Sequence, residues 1–123
     1  MKIKSFTDLI AWRKSHELVL RVYKITCCFP REERYALIDQ IRRAVVSISS
    51  NIAEGFSRRT YIEKNRFYYM AQGSLTEVQN LLLIARDLGY LDNNIFKDMA
   101  ERTVEVHKLI NSLVKKSVSI LNS

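Results

Sequence analysis

Gln40-Ile41-Arg42-Arg43-Ala44-Val45-Val46-Ser47-Ile48-Ser49-Ser50-Asn51-Ile52-Ala53-Glu54-Gly55 is the stretch on which the reading of this chain turns. On a 3.6-residue period, Leu37, Ile41, Ala44, Val45, Ile48 and Ile52 share one face, and Gln40, Arg43, Ser47, Asn51 and Glu54 form a polar stripe along its edge. A hydrogen-bonding seam beside a core needs a neighbour, because a buried polar group without a partner costs about 1–3 kcal/mol. If the helix stops at Gly55 and the chain turns over residues 56–60 and runs back antiparallel, Glu77 comes opposite Arg43, Ser74 opposite Ser47, and Arg66 meets Glu54. The stretch therefore predicts two helices locked by a structural polar seam of Gln40, Arg43, Ser47, Asn51, Glu54, Arg66, Ser74 and Glu77.

Working outward, the rest of the chain reads as helix as well. One proline, three glycines and 47% apolar residues in 123 positions leave little material for hairpins. A chain of this length builds one domain, residues 1–123, around one core. Ser5-Phe6-Thr7-Asp8 offers capping side chains for a first helix over about residues 8–28, and Phe29-Pro30 breaks it. Glu32 and Glu33 suit the positive end of a second helix over about 31–54, and Gly55 supplies the left-handed residue that ends it. Thr60-Tyr61-Ile62-Glu63 fits a capping box for a third helix over about 60–88, and Asp92 caps a fourth over about 93–121. The expected fold is all-α, an up-down-up-down antiparallel four-helix bundle.

Two helices carry more apolar residues than one bundle needs. Trp12, His16, Val19 and Tyr23 make one stripe of the first helix, and Ala11, Leu18, Val22 and Ile25 make a second. On the third helix, Phe67, Met70, Ala71, Ser74, Val78, Leu81, Ala85 and Leu88 read as the inward face, leaving Leu75, Leu82 and Leu83 off it. Gly73, which costs a helix about 1 kcal/mol relative to alanine, reads as a close helix contact. The fourth helix has a single stripe of Ile95, Met99, Val106, Ile110, Leu113 and Ile120. Ala11, Leu18, Val22, Ile25, Leu75, Leu82 and Leu83 are accordingly candidates for an interface between copies, against the alternative that neighbouring helices wrap the whole arc.

The motifs Phe6-x-Asp8-Leu9-x-x-Trp12, Phe29-Pro30-x-x-Glu33, Gln40-Ile41-Arg42-Arg43-Ala44, Ser47-Ile48-x-x-Asn51-Ile52-Ala53-Glu54-Gly55 and Gly73-Ser74-Leu75-x-Glu77 resemble one family across nearly the whole chain. It is the family of four-helix-bundle proteins encoded by intervening sequences of bacterial 23S ribosomal RNA genes, which look similar to the accessory variability-determinant proteins of diversity-generating retroelements. The resemblance implies a ring-like homopentamer with a basic surface, one that serves reverse transcriptase and nucleic acid in the retroelement relatives. It implies no catalytic residues.

The chemistry of the side chains is in keeping with that. The adjacent Cys27 and Cys28 point in different directions on a helix and will not pair with each other. With no apolar signal core after Met1-Lys2-Ile3-Lys4 and no apolar run of about 18 residues, the expectation is a cytoplasmic protein without a membrane span. His16 and His107 are isolated, so no metal or other cofactor is expected, and there is neither a nucleophile elbow nor a phosphate-cradling glycine loop. A metal-dependent nuclease using Glu54 and Glu77 is conceivable, but Arg43 opposite Glu77 would neutralise the charge a metal needs. Charge is the stronger signal: 20 Lys plus Arg against 13 Asp plus Glu give net +7. Arg42, Arg58, Arg59 and Lys64 around the turn between helices two and three are the candidate phosphate contacts, and five copies would bring the total to about +35. The expected function is a non-enzymatic, RNA-favouring accessory protein that binds RNA or an RNA–DNA hybrid. The competing reading is a protein-interaction scaffold whose basic face docks an acidic partner or a reverse transcriptase.

Overall fold

A computed structural model describes residues 2–123. The fold is all-α, with four long helices: α1 (Ile10–Thr26), α2 (Leu37–Ser57), α3 (Tyr61–Asp87) and α4 (Asn93–Leu121). Short 3-10 turns at Phe6–Asp8 and Arg31–Glu33 precede α1 and α2, and there is no strand among the described residues. Polar side chains define the helix starts. Asp92 accepts from the Ile95 amide at 2.8 Å and Thr60 from the Glu63 amide at 3.2 Å. Ser5 and Asp8 form a capping box, but on the 3-10 turn, so α1 itself starts two residues later than expected.

Two other boundaries moved for physical reasons. Glu32 and Glu33 lie in the 3-10 turn, outside the first turn of α2, and Glu33 instead accepts a 2.8 Å hydrogen bond from the Tyr90 hydroxyl. This contact pins the α1–α2 connection to the α3–α4 connection, where the Phe29 and Tyr90 rings also lie 5.4 Å apart. At the other end of α2, Gly55 does not stop the helix, which runs on to Ser57. The left-handed glycine is Gly89, with φ of 81°. It ends α3 by letting the Gly89 amide bond the Arg86 carbonyl and the Tyr90 amide bond the Ala85 carbonyl, both at 2.9 Å.

The helices form a four-membered bundle in which α2 packs on α1 and α3, and α4 packs on α3 and closes against α1. Contacts step along the pairs in opposite sense. Gln40 meets Glu77, Ser47 meets Ser74, and Gly55 meets Tyr68 across α2 and α3; Gln72 meets Asn111 and Gln79 meets Thr103 across α3 and α4. The core lies between all four helices, with Leu18, Val22, Ile41, Val45, Ile48, Ile52, Leu75, Val78, Leu82, Met99, Val106 and Ile110 almost wholly enclosed.

That core corrects the reading of surplus apolar surface. Ala11, Leu18, Val22, Leu75 and Leu82 are buried inside a single copy, and Ile25 packs partly against the same core, so only Leu83 of the seven interface candidates is exposed. Neighbouring helices do wrap the wide arc of α1. On α3 the buried face is Tyr68, Ala71, Leu75, Val78, Leu81, Leu82 and Ala85, rotated from the expected one, which leaves Met70 and Leu88 half exposed. The rotation follows from Ser74, which turns to the seam to meet Ser47 and so carries Leu75 inward. On α4, Thr103, Val114 and Ser117 are buried, while Ile95 and Ile120 lie at the surface.

Candidate nucleic-acid interface

The seam beside the core sets the geometry of the basic tip. Ser47 and Ser74 hydroxyls are 2.8 Å apart, and Asn51 Nδ2 donates to the Ser47 carbonyl at 2.9 Å and to its hydroxyl at 3.0 Å. Neutral groups therefore satisfy the middle of the seam. Its charged pairs fall out differently from the expected ones. Arg43 turns back to Asp39 at 3.1 Å, and Glu77 accepts from Gln40 at 3.4 Å, so there is no Arg43–Glu77 pair. Glu54 pairs with Arg58 at 3.0 Å, leaving Arg66 exposed. Both ion pairs that formed are i,i+4 pairs, Asp39 with Arg43 inside α2 and Glu54 with Arg58 at its C-terminal cap, where the chain itself brings the partners together. Glu54 and Glu77, which meets Gln40, sit about 21 Å apart along the α2 axis, too far to share an ion.

Below the seam, α2 and α3 approach so closely that a Cβ built on Gly55 would lie 2.7 Å from Tyr68 Cε1 and 3.1 Å from the Lys64 carbonyl. Gly55 is thus the close-contact glycine, and Gly73 has nothing within 4 Å. The sequence pattern predicts the close contact at Gly73 and a left-handed helix stop at Gly55, whereas the contact falls at Gly55 and the left-handed stop at Gly89. The tight approach encloses the Tyr68 ring, and burial pushes its hydroxyl up to about 12. It also buries Asn65, whose Oδ1 has no hydrogen-bond partner.

The four cations expected at the α2–α3 turn separate into three kinds. Arg42 is far from the turn, about 24 Å along α2 from Arg58. There its Nε donates to Thr26 Oγ1 at 2.9 Å, its Nη2 to the Tyr23 carbonyl at 3.3 Å, and its guanidinium lies 4.6 Å from the Tyr23 ring centre, so it ties α1 to α2. Lys64 is at the turn but engaged: its Nζ donates to the Phe56 carbonyl at 2.6 Å and caps the open end of α2, with desolvation lowering its pKa. Arg58 covers the Phe67 ring at 4.5 Å while holding Glu54. Arg59 is exposed and forms no ion pair among the described residues.

Other candidate chemistry is dispersed. His16 stacks on Trp12 at 4.8 Å, and a His107 ring nitrogen lies 3.5 Å from Asn111 Nδ2. Cys27 and Cys28 are both free and exposed. No group of three or more His, Cys, Asp or Glu side chains among the described residues could hold a metal ion, and no helix is long and apolar enough to cross a membrane.

A model of the 23S rRNA-intervening sequence protein family matches residues 7–112. The fold is similar to the 1.70 Å crystal structure of a protein with unknown function from the S23 ribosomal protein family of Bacteroides thetaiotaomicron VPI-5482. The two superpose with a TM-score of 0.80 at 20% identity, covering 86% of this chain and 96% of that one. No curated protein matches the chain. The family match takes in all of α1, α2 and α3 and most of α4, including the seam and the α2–α3 turn, and the chain belongs to the 23S rRNA-intervening sequence protein family.

Proposed function

We propose that this protein is a non-enzymatic, oligomeric accessory protein of the cytoplasm that binds nucleic acid through phosphate contacts, favouring RNA or an RNA–DNA hybrid. The observation that carries the reading is the α2–α3 turn, where Arg58, Arg59 and Lys64 crowd within seven residues and Arg66 follows, opposed only by Glu54 and Glu63. Such a cluster attracts a polyanion by releasing its counterions, which makes binding strongly salt-dependent and weakly sequence-dependent. An up-down-up-down antiparallel course, supported by the stepwise contacts between neighbouring helices, holds the turn at one tip of the bundle.

Oligomerisation into a ring of about five copies belongs to the same reading, on a different surface from the one expected. Apolar side chains remain exposed on the outer side of α3 at Ile62, Tyr69 and Met70, beside the unobstructed Gly73, and further on at Leu83, Ile84 and Leu88. The second reading, docking of an acidic protein such as a polymerase, is favoured by a cleft of about 390 Å³ between α1 and α4. Its lining includes the apolar Ile25, Leu91 and Met99, with two cations, Arg21 and Lys24, against one carboxylate, Asp98. A filter-binding titration of RNA against salt tests the first reading. The expected result is a steep negative slope of log affinity on log salt; a flat line, or no retention at low salt, rejects it. Sedimentation tests the ring, and a stable monomer at micromolar protein rejects it.

A further inference from the structure

The positive charge of this protein is not spread along the bundle. Cut across the Ser47–Ser74 contact, the half made of residues 2–17, 48–73 and 110–123 holds ten Lys or Arg against four Asp or Glu. The remaining half, residues 18–47 and 74–109, holds ten against nine. Of the net +7, six charges therefore belong to the end that bears the α2–α3 turn, the last turns of α4 and the chain segment before α1. The opposite end, with both other connections, is nearly neutral because Glu32, Glu33, Asp87 and Asp92 gather there.

Several cations at the charged end are uncommitted. Lys2, Lys4, Arg59, Arg66, Lys115 and Lys116 are all exposed, and none makes an ion pair among the described residues. The rings at this end are, by contrast, already covered. Phe67 lies under Arg58 at 4.5 Å, Phe56 and Tyr61 lie under Lys64 at 5.4 and 5.9 Å, and all three are partly buried. Phe6 and Trp12 are partly buried as well, and the exposed His16 ring is stacked on Trp12, which leaves Tyr69, 55% exposed, as the one open Phe, Tyr or Trp ring in that half among the described residues; a single such ring offers no track for successive bases. A surface rich in free cations and poor in open rings reads phosphates, and it suits the double helix, whose two strands carry about one charge per 1.7 Å of axis.

Resting on the reading above that the protein binds nucleic acid, we propose that it grips double-helical nucleic acid end-on: Arg59, Arg66, Lys115, Lys116 and the Lys2–Lys4 segment contact the phosphates, and Arg42 plays no part. The test uses the full chain, a short RNA duplex and one of its single strands, titrated by fluorescence polarisation across a salt series. A variant combining Arg59→Gln, Lys115→Gln and Lys116→Gln removes three exposed charges at the basic end; one combining Lys24→Gln, Arg34→Gln and Lys97→Gln removes three exposed charges at the other. Expected are a loss of duplex affinity of about tenfold or more with a shallower salt slope for the first variant, and a change within about twofold for the second. Duplex is expected to bind more tightly than single strand, by a ratio that Tyr69→Ala leaves unchanged whatever it does to assembly through the outer side of α3. Equal losses in the two triple variants would overturn the end-on arrangement while leaving nucleic-acid binding intact. Tighter binding of single strand that is lost in Tyr69→Ala would replace phosphate reading with stacking, and polyglutamate binding as tight as duplex would point to an acidic protein instead. Absence of any duplex binding by the unaltered protein at low salt would remove the broader functional reading and this proposal together.

Discussion

The two sides of this bundle are held together in different ways. Across α2 and α3, small residues let the backbones close in, so that Gly55 meets the face of Tyr68 and two serine hydroxyls touch at 2.8 Å. Across α1 and α4, the polar link is a 3.9 Å ion pair between the partly exposed Lys14 and Glu105, and an open cleft lined by Lys14, Glu17, Arg21, Lys24 and Arg102 lies beside it. The first arrangement fixes one register, because shifting α3 by a residue would drive Tyr68 away from its gap and leave Ser47 and Ser74 without each other. The second tolerates adjustment, since long charged side chains follow small displacements and solvent screens them. Register is therefore written into α2 and α3, while α1 and α4 supply apolar cover.

Substitutions can break this contrast in a graded series. The largest effect is expected from Ile48→Ala, which empties fully buried space at the centre of α2 and should cost about 2–5 kcal/mol in urea denaturation. Leu20→Ala, on the exposed side of α1, should stay within about 0.5 kcal/mol. Next comes the glycine pair. Gly55→Ala should destabilise by about 3 kcal/mol, because its methyl meets the Tyr68 ring and the Lys64 carbonyl with no room to yield. Gly73→Ala should stabilise the single chain by about 1 kcal/mol, since nothing lies within 4 Å and alanine is the better helix former. If both glycines prove destabilising when replaced, the close approach is not confined to Gly55.

A pH titration probes the same contact without mutation. The Tyr68 hydroxyl is held neutral by burial first and by the nearby Tyr61 second, with its pKa pushed up from 10.0 to about 12. Below pH 10 it is protonated in both folded and unfolded chains and its contribution is complete. As pH rises from 10 through 12 the unfolded chain ionises first, and about 2 kcal/mol of stability should be lost over that window. Tyr68→Phe should flatten that segment of the stability profile. A smaller effect, about 1 kcal/mol, is expected for Ser47→Ala, which strips Ser74 and Asn51 of a partner. Lys14→Ala, on the looser side, should shift the denaturation midpoint by no more than about 0.5 kcal/mol equivalent. A loss at Lys14 as large as that at Ser47 would erase the distinction between the two sides.

Local chemistry made much of this legible from residues alone. Asp92 and Thr60 open their helices with side-chain caps, Pro30 marks a break, and the α2 period separates Ile41, Val45, Ile48 and Ile52 from the serine seam, because each of these effects acts within a few residues. What only the tertiary structure decided concerns groups with more than one local outlet. Arg42 could reach solvent or α1 and took Thr26; Glu54 could take Arg66 across the turn and took Arg58 at the C-terminal cap of α2. The broad apolar girth of α3 allowed several rotations, and the meeting of Ser47 with Ser74 selected the one that buries Leu75 and Leu82. The same packing gave Gly55 its close contact and left Gly73 bare, because a glycine declares freedom in sequence but only a neighbouring helix determines whether that freedom is used.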